Sequence, residues 1–104
     1  MLHGTIEAVA PKICEGGFST VATLDDGFFG KGMYFTNSLD YALFYATPQK
    51  GPIPENLVVV LTLVVPGNVY PVTEAHKADG NQFGKPCVTG YQSHLAWGRL
   101  TLFL

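Results

Sequence analysis

The residues best placed to do chemistry lie in one stretch, Gly27–Ala46, GFFGKGMYFTNSLDYALFYA. Gly27, Gly30 and Gly32 lead into the apolar segment Met33-Tyr34-Phe35, and Tyr41 and Tyr45 follow on a predicted helix. Glycine lets a backbone approach a ligand closely. Tyrosines four residues apart share a helix face and can form an aromatic wall. Together these residue types suit a pocket for a flat, polar ligand.

The elements that must position this stretch follow from periodicity. Met1–Gly4 reads as the end of a strand, and Thr5 can cap a short or kinked helix over Ile6–Glu15, with Glu7 near its positive end. Ile6, Val9, Ala10, Ile13 and Cys14 form its apolar face, Pro11 limits its regularity, and Gly16-Gly17 stops it. Phe18–Asp26 is an irregular connection ending in the turn signature Asp25-Asp26-Gly27. Gly32–Phe35 reads as a short strand. Thr36, Asn37 and Ser38 are credible caps for a helix to Ala46 whose core stripe is Leu39, Ala42, Leu43 and Ala46.

Thr47–Asn56 is a breaker-rich surface loop. Leu57–Val65, LVVVLTLVV, has the uninterrupted β-branched apolarity of a central strand buried on both faces. Pro66-Gly67-Asn68 turns the chain into a second short strand, Val69–Val72, which Pro71 marks as an edge. Thr73–Pro86 is a long polar loop, and Cys87–Ala96 and Arg99–Leu104 can each supply a strand. Strands with two early helices indicate an α+β fold.

Composition bounds the function. A chain of 104 residues, 47% apolar and 13% charged, supports one domain spanning 1–104. The net charge is −2, Arg99 is the sole arginine and the five lysines are scattered, which disfavours stable DNA binding. No signal peptide is recognisable, and Leu57–Val65 is too short to span a bilayer. Cys14 and Cys87 lack metal-type spacing and fit reduced thiols of a cytoplasmic or nuclear protein. His3, His76 and His94 are too dispersed to suggest a metal site, and nothing local marks Cys87 as an activated nucleophile.

Taken singly, His3 reads as an ordinary strand-end histidine, and Tyr34 and Tyr45 as core aromatics. Their order changes this. Leu2-His3-Gly4-Thr5, then Gly30-Lys31-Gly32-Met33-Tyr34-Phe35, then Tyr45, resemble the catalytic domain of the poly(ADP-ribose) polymerase family. Leu57–Val72 and Gly84–Gly90 are similar to segments that follow in that family, so the resemblance covers roughly residues 2–91. It implies an ADP-ribosyltransferase fold with two small antiparallel sheets, two short helices and an NAD cleft.

The resemblance also implies roles. His3 would hydrogen-bond the adenosine-side ribose, and the Gly4 backbone would hold the nicotinamide carboxamide. Tyr34 and Tyr45 would sandwich the nicotinamide ring, with Gly32 leaving room. Thr5, Phe35 and Ala42 complete the implied NAD-binding set, and His3 and Tyr34 the catalytic one. NAD would be the substrate, nicotinamide the released product, and a protein or nucleic-acid side group the acceptor, with no metal. The glycosidic bond would break through an oxocarbenium-like transition state, which a nearby carboxylate would stabilise.

Three departures shape the expected activity. Active polymerases place a glutamate near the C-terminus, whereas this chain has no Asp or Glu after Asp79; Gln92 is the polar residue nearest that place. Ala42 stands where the family usually has a serine, and Tyr41 where many members have a lysine. Both ends look trimmed against the family pattern, which leaves open an incomplete fragment whose apolar end is a bare sheet edge. Trp97-Gly98-Arg99 echoes the triplet of an associated DNA-binding domain, for which no room remains. The expected function is therefore mono- rather than poly-ADP-ribosylation, with a catalytically silent NAD-binding module as the alternative.

Overall fold

The computed structural model describes residues 1–18, 32–72, 84–96 and 101–103. It is α+β: β1 (Leu2–Ile6), α1 (Ala10–Gly16), β2 (Tyr34–Thr36), α2 (Leu39–Ala46), β3 (Leu57–Leu61), β4 (Val69–Val72), β5 (Ser93–Ala96) and β6 (Thr101–Phe103). The chain divides into two compact units, one of residues 1–23 and 36–63, the other of 24–35 and 64–104. Each carries its own small group of strands.

In the first unit β1 pairs antiparallel with β3, running from Leu2↔Leu61 to Ile6↔Leu57. Leu2 also lies opposite Thr36 at the end of β2. The strand continues the sequence pattern through Thr5, which therefore does not cap a helix. The cap of α1 is Val9, without a side-chain hydrogen bond, and Glu7 sits ahead of the helix, where it accepts from Asn56 Nδ2 at 3.2 Å. Pro11 falls in the first turn, where its missing N–H costs nothing. Gly17 ends the helix at φ 75°, its N–H donating to the Ile13 carbonyl.

Of the three candidate caps for α2, Ser38 takes the position. Its Oγ accepts from the Tyr41 N–H at 3.3 Å, while Thr36 Oγ1 accepts from the Ser38 N–H. Ala42 and Ala46 are buried as expected, but Leu39 is 55% exposed, because it starts the helix beyond the reach of β1. Gly4 sets how α2 sits on β1. A Cβ on Gly4 would collide with the Ala42 carbonyl oxygen, lie 2.7 Å from its carbon and 3.2 Å from Ala46 Cβ. Helix backbone rests on strand backbone, and both small helix residues permit the approach.

The long apolar run departs most from expectation. β3 covers only Leu57–Leu61, has β1 on one side and, among the described residues, ends the strand order as an edge strand. Its residues are half-buried and Leu61 is 80% exposed.

In the second unit the order is β2-β6-β5-β4. β5 and β6 are antiparallel, with His94 opposite Phe103 and Ala96 opposite Thr101. β4 runs parallel to β5, an exception to the antiparallel expectation that residues 73–92 make feasible, since a parallel return needs a long connection. β4 is the expected edge, with Pro71 exposed. Strand structure starts at Ser93 rather than Cys87, because Val88–Tyr91 turns on itself through the Tyr91 N–H and the Val88 carbonyl. Gly67, at φ 65°, forms the turn before β4; a Cβ there would meet Gln92 Cβ at 2.9 Å. Asp25-Asp26-Gly27, most of the loop after Val72, and Arg99, Leu100 and Leu104 lie outside the described residues.

Gly4→Ala forces β1 and α2 apart. The expected cost is about 3 kcal/mol, a fall in Tm on the order of 15 °C for a domain of this size. Gly51→Ala, whose Cβ meets nothing within 4 Å at φ 91°, should cost only about 1–2 kcal/mol. Thermal unfolding followed by circular dichroism separates the two.

Candidate functional site

The hydrogen-bond pattern of β1 decides what its residues can offer. Met1 and Thr62 exchange both backbone bonds, the Met1 amine to the Thr62 carbonyl at 2.6 Å and the Thr62 N–H to the Met1 carbonyl at 2.8 Å. Antiparallel ladders alternate, so His3 and Thr5 direct their backbone groups at β3, while Leu2, Gly4 and Ile6 direct theirs at the opposite edge. On that edge Leu2 faces Thr36, and the Ile6 carbonyl accepts from the Val9 N–H at 3.0 Å. Gly4 therefore spends neither its N–H nor its C=O on β3. One donor and one acceptor on a single glycine thus point to the side of β1 on which Leu2 pairs with Thr36, a pairing matched to a primary amide.

Side chains alternate as well. Gly4 faces α2, so His3 and Thr5 project from the other face of β1. The His3 imidazole meets the Phe18 ring edge-on, with centroids 5.0 Å apart. His3 and Gly4 are thus adjacent in sequence but serve different sides of the strand.

On α2, Ala42 is buried at 1% exposure against Gly4, and Tyr45, three residues on, lies next to it on the helix surface. Tyr45 is 43% exposed. Its ring meets Tyr41 edge-on at 4.9 Å and Phe44 at 5.7 Å, and the two tyrosine hydroxyls are 3.3 Å apart. Tyr41 also stacks on Phe44 at 6.4 Å. Two rings, Tyr41 and Phe44, thus pack against Tyr45, which stays partly exposed. The i,i+4 spacing signals the tyrosine pair, but Phe44 carries no such signal within the sequence.

In the second unit, Gly32 is buried, Tyr34 half-buried and Phe35 buried at 3% exposure. Tyr34 and Phe35 take opposite faces of β2. Gly27, Gly30 and Lys31 lie outside the described residues, as do Glu74, His76 and Asp79.

Other candidates have structural work. Gln92 Oε1 accepts from the Asn68 N–H at 2.8 Å, clamping the turn before β4. His94 is fully buried, accepts the Val88 N–H at Nε2 at 2.9 Å and packs on Tyr70 at 5.2 Å. Burial pushes the Cys87 thiol up, against a smaller opposing effect of the Val88 backbone hydrogen bond, which keeps it from being an activated nucleophile. Among the described residues no group of three or more His, Cys, Asp or Glu could hold a metal, and no helix is long and apolar enough to cross a membrane.

A family model, the poly(ADP-ribose) polymerase catalytic domain, matches residues 1–97. The chain belongs to that family. Comparisons with curated proteins and with solved structures found no significant match. Members of the poly(ADP-ribose) polymerase family are ADP-ribosyltransferases that use NAD as substrate, and the match runs through His3-Gly4, Tyr34 and Tyr45.

If the Gly4 edge and the Tyr45 ring receive nicotinamide, millimolar nicotinamide should raise the Tm of the wild-type chain. Tyr45→Ala, which removes about 0.5–1.5 kcal/mol of aromatic contact to the flat ring, should abolish most of that rise. Differential scanning fluorimetry reads both; an unchanged rise in the variant would reject the Tyr45 assignment.

Proposed function

We propose that this chain captures NAD by its nicotinamide end and transfers a single ADP-ribose to an acceptor with release of nicotinamide. The observation that carries this reading is the direction of the Gly4 N–H and C=O, which the ladder with β3 leaves unspent and turns to the other side of β1. The carboxamide would donate to the Gly4 carbonyl and accept from its N–H. Tyr45, held by Tyr41 and Phe44, would cover one face of the ring, and Tyr34 from β2 would cover the other. Gly32 would leave space for the ring, and Phe35 would support β2 from its buried face. His3, with Thr5 on the same face of β1, would take the ribose hydroxyls of the adenosine side. The family match spans both compact units, which supports reading residues 1–104 as one catalytic domain.

The reaction balances without a further reagent. The bond between the ribose anomeric carbon and the nicotinamide nitrogen breaks with its electron pair going to the ring, which leaves neutral. An acceptor nucleophile forms the new bond to that carbon and gives up its proton. Holding the ring between tyrosines fixes the leaving group and keeps water from one approach to the sugar. Elongation to a polymer requires a second ribose hydroxyl, held in position as acceptor. Gly80–Leu104 contains no Asp or Glu to activate one, and the reading taken is mono-transfer.

The same missing carboxylate favours a second reading, a cleft that binds NAD and does not turn it over. Ala42 matters to both. A serine hydroxyl there would add one hydrogen bond to the carboxamide, worth about 0.5–1.5 kcal/mol. Ala42→Ser should therefore tighten nicotinamide binding about 2- to 12-fold by calorimetry.

Incubation with NAD, followed by intact-mass spectrometry of the chain and of added acceptor protein, tests the transferase reading. The expected product is a single ADP-ribose adduct with an equivalent of free nicotinamide. Thermal stabilisation by nicotinamide with neither adduct nor release would replace it with the binding-module reading. Absence of stabilisation as well would reject both.

A further inference from the structure

Tyr41 lies one helical turn before Tyr45 on α2, and the two side chains meet twice. Their rings make an edge-on contact, with planes at 74° and centroids 4.9 Å apart, and their hydroxyls lie 3.3 Å apart, within hydrogen-bond reach. The two contacts restrain different motions. A tyrosine hydroxyl lies on the axis about which its ring turns, so a bond at the hydroxyl fixes where the ring points, the χ1 angle. The edge-on contact fixes the turn of the ring about that axis, the χ2 angle.

Tyr41 is itself anchored. Its N–H donates to Ser38 Oγ at 3.3 Å, which seats it in the capped first turn of the helix. Its ring lies nearly parallel to that of Phe44, with 17° between the planes and centroids 6.4 Å apart. Phe44 meets the Tyr45 ring edge-on as well, at 5.7 Å, but has no hydroxyl to offer it. Tyr41 is half-buried, whereas Phe44 and Tyr45 are exposed. The best-anchored of the three rings thus carries the hydroxyl that reaches Tyr45. An exposed tyrosine held only by ring contacts keeps several χ1 wells open, and a ligand that settles on it must first select one.

We infer that Tyr41 is a positioning residue of the nicotinamide site: its hydroxyl, paired with that of Tyr45, sets the Tyr45 ring in one orientation before the ligand arrives. The effect on binding rests on the reading of Tyr45 as a wall of that site, whereas the orientation of the ring in the ligand-free chain does not. Removing the Tyr41 hydroxyl alone keeps every ring in the cluster. Affinity then falls because the ring is no longer preset, with no ligand contact deleted.

Tyr41→Phe and Tyr45→Phe each delete one end of the same bond. Three-bond scalar couplings that report the Tyr45 χ1 angle should show a single rotamer in the ligand-free wild-type chain and an averaged set in Tyr41→Phe, with circular dichroism unchanged. Calorimetric titration with nicotinamide should give an affinity about 2- to 12-fold weaker in Tyr41→Phe, the range for one side chain that must be ordered on binding. Two substitutions that remove one bond do not add, so the double variant should bind no more weakly than Tyr45→Phe alone. A Tyr45 ring averaged in the wild type, a single rotamer in Tyr41→Phe, an unchanged affinity in that variant, or additive losses in the double variant would each overturn the inference. The two measurements also tell its failure from that of the site reading. Nicotinamide binding that ignores Tyr41→Phe sinks only the role of Tyr41. A wild-type chain with one Tyr45 rotamer and no nicotinamide binding sinks the site, and the positioning role with it.

Discussion

The contact on which the first unit depends is between two backbones. α2 lies on β1 so closely that Gly4 has no space for a Cβ, with the Ala42 carbonyl directly over it. Side-chain packing normally separates a helix from a strand; here the small residues Gly4, Ala42 and Ala46 remove that separation. The result is rigid because backbone cannot adopt another rotamer to relieve strain. It also fixes the helix that carries the Tyr45 ring, three residues beyond Ala42, against the strand that carries Gly4. One constraint thus fixes both the packing of the helix and the position of its aromatic wall.

Much of this was legible in the sequence, for identifiable reasons. Ser38 as a cap, the helix to Ala46, the Gly17 stop and the edge position of β4 all rest on local chemistry: hydroxyl capping, left-handed glycine and a proline without a donor. The ordered motif from His3 to Tyr45 was sufficient for the family. The role of Gly4 was legible only in part. Resemblance assigns it a ligand, but the collision with Ala42 is a long-range packing fact that no local pattern encodes.

Other readings failed where long-range partners decide. Thr5 has the chemistry of a helix cap, yet pairing with Val58 holds it in β1. Leu57–Val65 has the composition of a central strand, yet its neighbours in the chain leave it at an edge. Apolarity reports that a strand is to be covered, not by what. Gln92, the residue nearest the expected carboxylate in sequence, is engaged by Asn68 through a turn that only the pairing of β4 with β5 creates. Such uses of a polar side chain are set by tertiary structure and leave no periodic trace.

The central claim is that the Gly4 N–H and C=O, which point away from β3, receive a carboxamide. The most direct measurement is the amide resonance of Gly4 in a nitrogen-15 correlation spectrum during titration with nicotinamide. The expected result is a downfield, saturable shift of the Gly4 amide proton, with Tyr45 ring resonances moving at the same midpoint. No such shift is expected with nicotinic acid, which lacks the amide donor. Nicotinamide binding that moves Tyr45 and leaves the Gly4 amide where it was would contradict the claim.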